Sequence, residues 1–153
     1  MSQLAPAARR QSEVLQRVLA GEHAVVYGYG VAGARLSGAD RVRAERGWTA
    51  HRGRRDQLEA ELTGLGVVPI PPAASYVLPA RVATAEQART LVTLLEERLA
   101  AVWADAVADL ADPADRDLRR QAAGGLADAA VAASRWRGGS VPFPGLPERQ
   151  LRG

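Results

Sequence analysis

Glu22, Glu96 and His51 are the residues whose types could do chemistry in this chain. Carboxylate and imidazole groups can ligate iron or manganese, and they can also neutralise one another when buried. Glu22 and His51 fall on apolar helical stripes, and Glu96 flanks one. An ionised carboxylate on a buried stripe costs several kcal/mol unless it is paired or metal-bound. Arg55, one turn beyond His51, is the expected charge partner of Glu22, because its guanidinium stays protonated and can meet a carboxylate with two hydrogen bonds. His51 then completes the network or lines a pocket next to Trp48. The expectation is a buried polar cluster of Glu22, His51 and Arg55, with Glu96 beside it.

A metal centre is the alternative use of these residues. Carboxylate-bridged di-iron bundles take a Glu from each of two helices and a Glu-x-x-His from each of the other two. Here Trp48 stands three residues before His51, where a Glu belongs. The last helical segment has no histidine, and Asp128 is its only acid beyond the first turn. With 2 histidines in the chain, His23 and His51, a full di-iron set is missing. A reduced iron or manganese site of Glu22, His51 and Glu96 is the form that remains, and no cofactor is predicted. The chain has no cysteine, its serines lack a partnered base, and no catalytic residue is identified.

A second motif competes for the same stretch. Gly28-x-Gly30-x-x-Gly33 follows a short apolar run and has the spacing of a dinucleotide-binding turn. That motif needs a βαβ unit, and no second strand-like run follows before the proline-rich segment. The helical reading is therefore preferred.

The elements that position these residues follow from hydrophobic period. Leu15, Val18, Leu19, Glu22, Val25, Tyr29, Gly33 and Leu36 recur at three- and four-residue steps, so residues 8–36 read as the first helix. His23 and Tyr27 lie beside its stripe and read as an interface or supporting pair. After a turn with Ser37 as a candidate N-cap, residues 39–63 form the second helix, with Ala44, Trp48, His51, Arg55, Leu58 and Leu62 inward. Residues 65–83 are extended, apolar and proline-rich. They could span about 60 Å, more than the roughly 39 Å of a 26-residue helix, and so return along the whole bundle. Thr84-x-x-Gln87 is a capping box opening the third helix over 84–111. Asp112-Pro113 opens the fourth, over 113–137. Residues 138–153 form a tail that wraps the surface or frays. Two short links and one long central link give a ferritin-like order of helices in a single all-α domain of residues 1–153.

Three blocks carry a resemblance. Glu22-His23-Ala24-x-x-Tyr27-x-Tyr29-Gly30, His51-Arg52-x-Arg54-Arg55-Asp56-x-Leu58 and Pro72-x-Ala74-x-Tyr76-x-Leu78-Pro79 resemble a family of alanine-rich bacterial ferritin-like proteins of unknown function. The resemblance implies a ferritin-like four-helix bundle, paired as a homodimer, and implies no established activity.

Composition narrows the function further. Net charge is +3, all 20 basic residues are arginine, and aromatics make up 5% of the chain. That is too few for a base-stacking surface, and the arginines of the second helix alternate with acids, so no nucleic-acid partner is expected. No apolar run has the length of a membrane span, no membrane partner is expected, and the cytoplasm is the expected location. Small and aromatic residues off the stripe of the first helix, namely His23, Tyr27, Gly30 and Ala34, suggest a face that a second copy could approach. The sequence thus points to a non-catalytic homodimeric binding or interaction module, with a reduced metal site as the other candidate.

Overall fold

Glycine and proline punctuate the chain into four long helices. The structure is a computed structural model and describes residues 4–138. Helix α1 runs Pro6–Gly33, α2 Gly38–Gly64, α3 Ala85–Asp109 and α4 Arg116–Arg137, with a short 3-10 turn at Pro113–Asp115 before α4. No strand occurs among the described residues. Gly28, Gly30 and Gly33 lie inside α1, so the strand and turn that a dinucleotide site requires are not there. The expected tail, apart from Gly138, lies outside the described residues.

The helix ends have local causes. Thr84 accepts a hydrogen bond from the Gln87 amide at 3.1 Å, and the Gln87 side chain accepts from the Ala83 amide at 2.8 Å. Two backbone donors at that terminus are thereby satisfied. Asp112 caps the 3-10 turn through the Ala114 amide at 2.9 Å. Ser37 occupies the N-cap position of α2 in extended backbone but makes no side-chain cap bond. Gly138 closes α4 at a φ of 81°, a left-handed conformation that glycine adopts freely. Helix α1 ends at Gly33, earlier than expected, yet Leu36 is still buried through the turn that follows.

Helix α1 packs against α2 and α3, and α3 packs against α4. Arg89 near the start of α3 pairs with Asp40 near the start of α2 at 2.7 Å, so these two helices run the same way. Such a parallel pair requires the intervening chain to travel the length of the bundle, and residues 65–84 do so. Leucines 19, 58, 62, 91, 99 and 110 form the fully buried centre. Each contributes about 1.5–3 kcal/mol through removal from water. Glycines 28 and 125 are among those that admit large neighbours into this centre. A Cβ on Gly28 would lie 2.1 Å from a Leu95 methyl, and one on Gly125 would lie 2.4 Å from the Trp103 ring.

The crossover is fastened to α1. Gln16 donates to the Val68 carbonyl at 2.7 Å and accepts from the Ile70 amide at 2.8 Å. His23 donates from Nε2 to the Ile70 carbonyl at 3.0 Å, and the Tyr27 and Tyr76 rings stand 5.3 Å apart. His23 is buried by these contacts. Two of the four residues read as a docking face for a second copy thus face the chain's own crossover.

Candidate functional site

At mid-bundle, side chains of α1 and α3 converge on His51 of α2. Its Nδ1 lies 2.7 Å from Glu22 Oε2, and its Nε2 lies 2.9 Å from Glu96 Oε1. A carboxylate only accepts hydrogen bonds, so both ring nitrogens must carry protons for both contacts to form. His51 is therefore an imidazolium clamped between two glutamates that are 0% exposed. Burial alone would lower its pKa. The hydrogen bonds to Glu22 and then Glu96, with the two negative charges, outweigh that, and the pKa is raised to about 9.

The network continues outward from this centre. Tyr29 donates its hydroxyl to Glu96 Oε1 at 2.5 Å, and Trp136 Nε1 donates to that hydroxyl at 3.3 Å. Burial and the Glu96 charge push the Tyr29 hydroxyl far above the ordinary phenol range, so it stays a donor. On the other side Arg54 reaches within 4.0 Å of Glu22 Oε1 and donates to Asp128 at 2.5 Å. One chain of polar contacts thus crosses the bundle, from Asp128 through Arg54, Glu22, His51, Glu96 and Tyr29 to Trp136.

Sequence and structure place several of these residues differently. Glu22 and His51 meet as the stripes suggest, and Glu96 is fully buried rather than flanking. Arg55 does not reach Glu22. It turns away and donates twice to Asp56 at 2.9 and 2.6 Å, and Arg54 takes the inward place. Trp48 is also rotated out, with Arg52 over its ring at 4.5 Å, and is one-third exposed. Both corrections have one cause: the inward row of α2 is Ala44, Gly47, His51, Arg54 and Leu58. Gly47 leaves the room that the Tyr29 ring fills, and a side chain there would block Tyr29 from Glu96. Asp128 is mostly exposed and acts only through Arg54.

Asp115 is a buried acid that period alone did not reveal. Gln11 donates to it at 2.7 Å and Arg10 at 2.8 Å, so it ties the start of α1 to the corner before α4. The Gln11 hydrogen bond, followed by those of Arg10, holds its carboxyl below the usual range despite burial. The turn-forming Asp112-Pro113 was its only signal in the sequence.

The residues present do not fit a di-iron centre. Glu22 and Glu96 stand where two carboxylate ligands would, but both His51 nitrogens are already spent on them. The inward positions of α4 are Ala122, Gly125, Ala129, Ala133 and Trp136, none of which is a ligand. No group of three or more histidine and acid side chains is arranged to hold a metal among the described residues.

Comparison with known proteins agrees with this fold. A conserved hypothetical protein of Mycobacterium tuberculosis shares 32% identity over 87% of this chain and 97% of its own, with a TM-score of 0.77. A structure of ferritin-like, diiron-carboxylate proteins from Bacillus anthracis matches with a TM-score of 0.71 at 16% identity, over 87% of this chain and 96% of that one. No match is found among the curated proteins. The family model of a domain of unknown function, DUF4439, matches residues 14–148. By that match, which covers most of its length, the chain belongs to the DUF4439 family of unknown function, and its fold is that of a ferritin-like helical bundle.

Proposed function

We propose that this chain is a non-catalytic binding and interaction module, homodimeric, built on a ferritin-like frame whose centre holds a protonated imidazole. The observation that carries the reading is the clamp of His51 between Glu22 and Glu96. It balances one of the two buried carboxylates without a metal, and Arg54 faces the other. Chemistry at a di-iron centre needs open coordination positions, and here both glutamates point at a ring that already fills the gap.

A surface on α1 and α2 supports the homodimer. Gly30, Gly33 and Ala34 with Ala44 and Trp48 line a groove of about 230 Å³ bordered by Tyr29 and the Arg41–Glu45 pair, and nothing lies within 4 Å of where a Cβ on Gly30 or Gly33 would sit. Val42 is also exposed on α2. A helix of a second copy can approach such a small-residue groove closely, with Trp48 as the aromatic anchor.

A second reading, an iron- or manganese-handling protein, has one observation in its favour. Glu22 Oε1 and Glu96 Oε2 are buried without a hydrogen-bond partner. Elemental analysis of tag-free protein distinguishes the two readings, and light scattering after gel filtration tests the dimer. The module reading expects no stoichiometric metal and a dimer that Trp48→Glu dissociates. One iron or manganese per chain sinks it, and a monomer across the micromolar range removes the dimer.

A further inference from the structure

The crossover does not lie flat on the bundle. Over residues 76–79 it arches across the groove between α1 and α3, and a cavity of about 110 Å³ lies beneath it. Gly21 and Ala24 of α1 keep one wall low. Val25, Leu95, Leu99 and Leu78 make most of the remaining lining apolar. Among the described residues, Arg98 is the only charged one that borders this space. It is exposed and has no ion pair or hydrogen bond among the described residues. Its neighbour Glu97 is taken by Arg137 and so does not neutralise it.

We propose that this cavity binds a small monocarboxylate with an apolar body of about one ring, its carboxylate meeting Arg98 at the rim. The proposal rests on the reading of the chain as a binding module, and it names the ligand class. Size is the first argument: an apolar cavity of about 150 Å³ encloses benzene, and this one, at about 110 Å³ and open at the Arg98 rim, takes most of a ring while the carboxylate stays outside. Charge is the second. A guanidinium without a partner presents a planar fork that fits a carboxylate, so a ligand with an acceptor at the rim gains an ion pair that a neutral one does not. A dianion would place its second charge against apolar wall, with no group to receive it. A neutral apolar molecule would fill the cavity and leave Arg98 unused.

Benzoate and its neutral counterpart benzyl alcohol are the probes, titrated into the ¹⁵N-labelled full chain and followed by amide shifts. Both should move the amides of Gly21, Ala24, Leu78 and Leu99 saturably, with benzoate about threefold tighter. Arg98→Gln, at an exposed position, should abolish that preference while benzyl alcohol binding is kept. Ala24→Leu should fill the cavity and weaken both probes. Absence of saturable shifts, benzoate shifts confined to Arg116, Arg119 and Arg120, or a preference that survives Arg98→Gln would each overturn the assignment. Metal analysis of the same samples keeps the two failures apart. Stoichiometric iron with intact benzoate binding sinks the module reading alone, and metal-free protein that ignores both probes sinks the cavity alone.

Discussion

The ring of Tyr29 occupies the space where Gly47 has no side chain: a Cβ on Gly47 would sit 2.5 Å from Tyr29 Cε1. Glycine inside a helix costs about 1 kcal/mol relative to alanine, so an ordinary glycine there would be improved by Gly→Ala. At this position the gain is outweighed. Gly47→Ala should destabilise the protein by about 1–3 kcal/mol through overpacking. Gly53→Ala, where nothing lies within 4 Å of the new methyl, should stabilise it by up to about 1 kcal/mol. Urea unfolding of the two variants checks this, and a stabilised Gly47→Ala would refute the role given to Tyr29.

Glu22 is the member of the network with most to lose. Removing one partner of a buried charged pair leaves the other uncompensated, at a cost of about 3–5 kcal/mol. Glu22→Ala should therefore unfold at clearly lower denaturant. Glu97 pairs with Arg137 at the surface, and Glu97→Ala should cost under about 1 kcal/mol. Equal, small losses from both would contradict the burial of Glu22.

The His51 pKa, raised from 6.5 to about 9, sets an alkaline limit to stability. A group that holds its proton more tightly when folded stabilises fully below its unfolded pKa. That contribution is lost as pH rises through the folded value. The urea midpoint should therefore fall between pH 6.5 and about 9, and His51→Gln should flatten that fall. Titration of the His51 ring by NMR would give the folded value directly. A value below 6.5 would overturn the clamp.

Asp115 sets the opposite limit. Its folded pKa lies below the ordinary 3.8, so its contribution is present above that pH and is lost as pH falls through the folded value. Asp115→Ala should cost about 1–3 kcal/mol at neutral pH and should lessen the loss of stability on acidification. Acid titrations of the two proteins, followed by circular dichroism, would show it.

Much of this arrangement was legible in the sequence. The four helices, the long crossover, the Thr84 cap and the inward Glu22 and His51 follow from period and capping chemistry. Beyond the burial of Glu96 and Asp115, two further details did not follow. Rows through Trp48 and Arg55 or through Gly47 and Arg54 fit a 3.6-residue period equally well. The choice between them is made by Tyr29 on another helix, which no local pattern carries. The partners of His23 and Tyr27 were hidden for a related reason, because an extended segment has no helical period to show which face it covers.

The clamp on His51 also fixes how the two halves of the bundle align. Its first carboxylate comes from the α1–α2 hairpin and its second from α3, across the long crossover. The apolar stripes of α1 and α3 alone would tolerate a slip of one helical turn, about 5.4 Å, since leucines recur at that interval. The clamp would not. Such a slip carries Glu96 away from both Tyr29 and His51 and leaves it buried without a counter-charge. The imidazolium thus acts as a register key, permitting one alignment of α3 where hydrophobic packing would permit several.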